Sequence, residues 1–214
     1  MCKTNKIISI QNLVFSYEEE LIFKRIDVTV FRNEILCIKG RNGSGKTTLL
    51  KLLAGILSGE EGSLRIFEGK SLFFVPSSPY LYEKLTGREN VSLIKQLWNA
   101  DESYDQKAEH FYEVFDMAGY VDNLVETYSL GMKYKVFLVA ALSLNCDLLL
   151  MDEPLNAMDV QGQDLAIELL KEYCASTDKT IVFSSHIRDL VNTLATREIE
   201  LNHGVIAKGG KVDE

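Results

Sequence analysis

Nine consecutive residues, Gly40-Arg41-Asn42-Gly43-Ser44-Gly45-Lys46-Thr47-Thr48, concentrate glycines, hydroxyls and a lysine. They contain the spacing G-x-x-x-x-G-K-[ST] at Gly40, Gly45, Lys46 and Thr47. Glycines let backbone N–H groups close around phosphate oxygens, a lysine at this position reaches the β- and γ-phosphates, and the hydroxyl of Thr47 can be given to Mg²⁺. A second group of polar residues lies about a hundred residues later, where DLLLMDEP runs from Asp147 to Pro154. Four apolar residues end there in two carboxylates. Neighbouring side chains on a strand point to opposite faces, so Asp152 and Glu153 should do different work. Asp152 is suited to hold Mg²⁺ through water or from behind its nearest ligands, and Glu153 to act as general base on an attacking water. A third stretch, YSLGMKYKV from Tyr128 to Val136, opens a helix with Ser129 as N-cap and Gly131 in a bare first turn. Such an opening offers free N–H groups and a positive dipole end to an anion.

The flanking pattern supplies elements to carry these groups. Strands are expected at Lys6–Phe15, Ile22–Phe31 and Ile35–Lys39, the last so apolar that both faces must be covered. A helix from Lys46 to about Leu57 and short strands near Ser63–Phe67 and Ser71–Val75 follow. Residues 87–144 read as helical; within them Ala108, Phe111, Tyr112, Phe115 and Ala118 form one apolar stripe. From 147 onward the pattern alternates: strand Asp147–Met151, helix about 160–175, strand Thr180–Ser184, helix about 187–195. The expected class is α/β, a P-loop NTPase core with a mainly parallel sheet, an N-terminal antiparallel β part and an inserted α-helical subdomain at about 80–135. All 214 residues are expected to make one domain.

Composition narrows the function. The net charge of −8 argues against a nucleic-acid partner. No apolar run reaches the roughly 18–20 residues that span a bilayer; VFLVAALSL is short and reads as a buried helix. The N-terminal residues do not have the layout of a signal peptide. Cys2, Cys37, Cys146 and Cys174 lack C-x-x-C spacing and read as reduced cytosolic thiols, with Cys37 inside a strand.

Taken in order, the motifs resemble the nucleotide-binding domain of ABC transporters over nearly the whole chain. In FSY, Tyr17 stands where that family stacks an aromatic on adenine. YSLGMKYK resembles the signature usually written LSGGQ, with Ser129 and Gly131 retained and Leu130 in place of the first glycine. NAMD puts Asp159 in the D-loop, and SSH puts His186 at the switch histidine. The bland alternatives stand beside these: Tyr17 as a strand-end aromatic, Asp159 as a plain helix cap, and the other histidines, His110 and His203, as ordinary surface or core residues. The resemblance implies an ATPase that uses ATP and Mg²⁺. Two copies would pack head to tail, each signature capping the γ-phosphate held by the partner's P-loop.

It also implies a separately encoded membrane permease, which would hold the subunit at the inner face of the cell membrane. LYEKLTGREN and YSLGMKYK look more like exporter-type systems than nutrient importers. One departure is plain: where the family has Gln, after Val75-Pro76, this chain has Ser77. That implies a weaker hold on Mg²⁺ and a slow basal turnover. The alternative function is a soluble ABC ATPase acting as a clamp or regulator.

Overall fold

The computed structural model describes residues 5–60, 63–176 and 179–211. Cys2 lies outside them. The chain forms two compact units. The first comprises Met1–Phe74, Asp147–Glu153 and Leu170–Glu214; the second comprises Val75–Cys146 and Pro154–Leu169.

The first unit begins with a hairpin of two long strands, β1 (Lys6–Tyr17) and β2 (Glu20–Phe31). Each is longer than the pattern predicts, because the turn at Glu18 and Glu19 is tight and pairing continues to Tyr17↔Glu20. Glu18 supplies the turn with a positive φ of 52°. Strand β4 (Leu64–Phe67) adds antiparallel to β1, giving the order β2-β1-β4. The second sheet is built on β3 (Ile35–Lys39), β5 (Leu72–Val75), β6 (Leu148–Asp152), β7 (Thr180–Ser185), β8 (Arg197–Asn202) and β9 (Val205–Lys211), in the order β5-β6-β7-β3-β8-β9. Pairs β6·β7, β7·β3 and β3·β8 are parallel, and β9 returns antiparallel on β8. Every residue of β6 and β7 is buried, which is why these strands read as continuous apolar runs.

Strands β8 and β9 were not expected. Ile199 and Leu201 alternate with exposed residues, and Asn202-His203-Gly204 makes the turn with positive φ at His203 and Gly204. Helix α1 (Lys46–Ala54) is three residues shorter than predicted because Gly55 takes a left-handed C-cap, its N–H bonding the carbonyls of Lys51 and Leu52. Leu49, Leu50, Leu52 and Leu53 of α1 pack into a core with Ile7, Phe23, Val30, Leu36, Leu148 and Leu150. Each such side chain contributes about 1.5–3 kcal/mol by leaving water.

The second unit holds α2 (Gly87–Leu97), α3 (Ser103–Val114) and α4 (Leu130–Ser143), with a 3₁₀ turn at Val125–Thr127. Thr86 and Glu89 close a reciprocal capping box at the start of α2. The buried face of α3 is Tyr104, Ala108 and Tyr112; Phe115 is buried just past the helix, but Ala118 is exposed. The expected stripe fails at its end because the chain breaks helix at Asp116, whose φ is 55°. The Tyr104 hydroxyl reaches the Val91 carbonyl at 3.0 Å, tying α3 to α2. Helix α4 is buried from Val136 through Ser143, the central helix of its unit. A long helix, α5 (Val160–Ser176), passes from the second unit to the first, and α6 (Arg188–Leu194) follows β7. No helix among the described residues is long and apolar enough to cross a membrane. Cys37, Cys146 and Cys174 are buried free thiols. Burial pushes the Cys37 thiol up to about 12.

Candidate active site

Three adjacent parallel strands, β6, β7 and β3, end at one edge of the sheet. Side chains leaving the carboxyl ends of such strands converge, which is where open α/β sheets place their ligands. The loop Gly40–Gly45 leaves β3 and turns into α1 at Gly45, whose φ of 96° excludes most other residues and whose Cβ would stand 3.0 Å from Phe23 Cζ. No side chain caps this helix and its first turn carries no acid. Its N–H groups and dipole are thus directed at whatever the loop holds.

Lys46 is 6% exposed. Its Nζ donates to the carbonyl oxygens of Gly40 and Arg41 at 3.1 and 3.3 Å and lies 3.6 Å from Glu153 Oε1. Arg41, Asn42 and Gly43 are exposed, and Thr48 is buried in α1. Ser44 Oγ is the one buried side-chain polar atom among the described residues that has no hydrogen-bond partner. An orphaned hydroxyl inside a glycine-rich loop fits a cradle in which a phosphate oxygen would be the missing partner.

Thr47 Oγ1 donates to Asp152 Oδ2 at 2.8 Å, joining α1 to the end of β6. Asp152 is 2% exposed and its other oxygen accepts from Ser184 Oγ at 2.7 Å. A hydroxyl and a carboxylate held together this way are hard oxygen donors, the chemistry Mg²⁺ takes alongside phosphate oxygens. These residues fit the group. Glu153 follows with φ of 47°. Pro154 comes next and bars the right-handed helical region to the residue before it. The left-handed region costs a non-glycine residue about 1–2 kcal/mol. Glu153 Oε1 also meets His186 Nδ1 at 3.3 Å. The carboxylate therefore stands between the ammonium of Lys46 and the imidazole of His186. His186 is oriented by the turn after β7, where Ser185 Oγ accepts from the Ile187 N–H at 3.0 Å.

Tyr17 ends β1, 43% exposed and edge-on to Phe15 at 4.9 Å. Its hairpin lies beside the loop, since Ile22 and Phe23 are the neighbours of Gly45. Ser184 and Ser185 were not singled out from sequence. The available signal was two hydroxyls closing a strand, TIVFSS, that is apolar from its second to its fourth residue.

In the second unit, Ser129 caps α4 by accepting from the Met132 N–H at 3.2 Å. Gly131 is required by close approach: a Cβ there would stand 3.0 Å from the Ala157 carbonyl oxygen. Asp159 Oδ1 accepts from the Gly162 N–H at 2.7 Å, so it does cap the helix that follows. Gln163 Nε2 donates to the carbonyls of Leu155 and Met158, holding the preceding loop. Ser77 is exposed just beyond β5.

Comparison with known proteins identifies the family. The family model for ABC transporters matches residues 23–156. The molybdate import ATP-binding protein MolC of Haemophilus influenzae is 31% identical over 92% of this chain and 80% of its own length. The zinc uptake system ATP-binding protein ZurA of Listeria innocua is 28% identical over 96% and 86%. Among solved structures, the ATP-binding subunit of an ABC transporter superposes with a TM-score of 0.90 at 23% identity, over 97% of this chain and 90% of the other. An ABC transporter ATP-binding cassette in its ADP conformation gives 0.81 at 22% identity, over 97% and 92%. These two establish the fold. With the phosphate loop, the acid pair and these sequence relatives in agreement, the chain belongs to the ABC transporter family as an ATP-binding ATPase subunit.

Proposed function

We propose that this ATPase subunit closes head to tail on a second copy of itself around ATP and powers a separately encoded membrane permease from the cytoplasmic face. The observation that carries the reading is the position of Glu153, its carboxylate 3.6 Å from Lys46 Nζ and 3.3 Å from His186 Nδ1 at the mouth of the phosphate loop. In this reading the loop Gly40–Thr48 wraps the phosphates and Lys46 meets the β- and γ-oxygens. Glu153 accepts the proton of the attacking water, and His186 holds that carboxylate in place. Thr47 and Asp152 would hold Mg²⁺, and Ser77, just beyond β5, is the proposed third oxygen donor. When bound, the ion neutralises charge gathering on the phosphate oxygens. Tyr17 stacks on the adenine. Ser129 and Gly131 of one copy cap the γ-phosphate of the other, and Asp159 faces the joint.

Residues 1–214 act as one ATP-binding domain whose helical part, about 80–135, receives the permease. The expected lean toward export finds no support in the relatives' names, since MolC and ZurA are named for import and uptake. Transport in either direction uses the same engine.

The test is Glu153→Gln. The variant is expected to bind ATP without cutting it and to run as a dimer on sizing chromatography only with Mg-ATP. Adding Ser129→Arg should abolish the dimer and leave nucleotide binding intact. A monomer that hydrolyses at the wild-type rate would refute the reading. Dimerisation and turnover with no membrane protein co-purifying would favour the soluble clamp.

A further inference from the structure

Ser184 opens the SSH stretch with no role of its own read there, and its side chain is entirely buried. Between Thr180 and Ser184 strand β7 is apolar, with Ile181, Val182 and Phe183 all at 0% exposure. A hydroxyl in such a strand must find partners within the protein. Ser184 has two, and both belong to the acid pair. Its Oγ donates to Asp152 Oδ1 at 2.7 Å and accepts from the Glu153 N–H at 2.9 Å. The parallel register places Asp152 directly opposite Ser184, so the geometry follows from strand pairing.

The other Asp152 oxygen is bonded to Thr47. The carboxylate is therefore fixed at both oxygens, one from α1 and one from β7. The Glu153 N–H is held at the residue where the backbone enters the left-handed region. One oxygen atom thus sets both the plane of the Asp152 carboxylate and the direction in which Glu153 leaves the strand.

We infer that Ser184 is a positioning residue for ATP hydrolysis: through Asp152 and the Glu153 peptide it aims the general base, and it adds little to nucleotide affinity. This rests on the assignment of Glu153 as the base. Nucleotide affinity comes from the loop Gly40–Thr48, whereas the hydrogen bonds of Ser184 go to Asp152 and Glu153. Loss of the hydroxyl frees a buried carboxylate oxygen and a backbone N–H together, and the base then samples directions away from the water.

The experiment compares Ser184→Ala, Ser184→Thr and Glu153→Gln in the full chain. Ser184→Ala is expected to lower kcat about tenfold, equivalent to about 1.4 kcal/mol. KM for ATP, and the affinity and stoichiometry for a fluorescent ATP analogue, should stay within twofold of wild type. Ser184→Thr restores the hydroxyl on a side chain suited to a strand and should recover most of kcat. In the Glu153→Gln background, Ser184→Ala should lower the residual rate no further.

Wild-type kcat in Ser184→Ala, with Glu153→Gln inactive, would overturn the inference and leave the base assignment standing. A rate loss matched by lost analogue stoichiometry would also overturn it, as a folding effect. Normal turnover in Glu153→Gln would remove the base assignment itself. If Ser184→Ala does not fold, Ser184→Thr decides: unimpaired kcat is required there, and a tenfold loss with full analogue binding would refute the role of the hydroxyl.

Discussion

Replacing Lys46 by methionine keeps an unbranched side chain in a site that is 6% exposed and removes the ammonium with its N–H donors. Without nucleotide, that charge meets two carbonyl oxygens and lies 3.6 Å from Glu153. At this distance the attraction is about 5 kcal/mol at an effective dielectric of 20 and about 1 kcal/mol in water. Most of it offsets the cost of burying the ammonium. The Glu153 side chain is 25% exposed and keeps its contact with His186, so it is not left stranded. The net loss of folding stability is therefore about 1–2 kcal/mol, a fall in Tm of about 2–8 °C for a chain of this size. Turnover should suffer far more. A cation aimed at the charge that develops on the transferred phosphate is worth about 10²–10³ in rate. Phosphate release under saturating Mg-ATP, with circular dichroism confirming the fold at the assay temperature, measures both effects. A folded variant that turns over within tenfold of wild type would refute the assignment of the loop.

Two further outcomes concern the frame around the site. Arg197 makes two hydrogen bonds to Glu34, at 2.7 and 2.8 Å, and another to the Thr29 carbonyl, so it joins β8 to the start of β3 and to β2. Arg197→Ala leaves a carboxylate that is 11% exposed and keeps, among the described residues, the Phe31 N–H as its hydrogen-bond donor; thermal unfolding should show a loss of about 2–4 kcal/mol, and a Tm shift below about 2 °C would contradict this. Asp147 supplies a pH dependence. Burial raises its pKa, but the Lys70 N–H, Lys179 and Ser71 together hold it below the usual carboxylate range. A folded pKa below the unfolded one stabilises the native state above pH about 4 and loses that contribution as pH falls through the folded value. Asp147→Asn should therefore unfold with a shallower acid limb between about pH 5 and 2; parallel acid limbs would rule this out.

The site was legible where its chemistry is local. Gly45 must adopt a left-handed cap and Lys46 must follow it, so that short segment carries its own geometry. The same holds for Asp152 and Glu153, two acids at the end of an apolar run, and for Ser129, whose capping bond spans three residues. Ser184 was missed because its meaning depends on register: nothing near it in sequence says that Asp152 will stand opposite. The hairpin of β8 and β9 was missed for a different reason. Arg197–Asn202 alternates and Asn202-His203-Gly204 is a turn, but the single-sided burial of Ile199 and Leu201 gives a weaker signal than the fully buried strands. Ala118 was assigned to a stripe because apolar spacing continues past the helix; only the positive φ at Asp116 ends it.

Strand β3, which launches the phosphate loop, takes both neighbours from the far end of the chain. Its leading residues bond Thr180 and Thr196, separated from Asn33 and Ile35 by 147 and 161 positions. During synthesis the loop leaves the ribosome long before either flanking strand exists. Contacts of such span form slowly and late. The nascent chain therefore carries the complete phosphate-loop sequence beside an unpaired strand, and ATP cannot assist its folding until β7 and β8 have been made. Termination between the loop and β7 would yield a fragment that has every residue of the loop but neither strand that flanks β3.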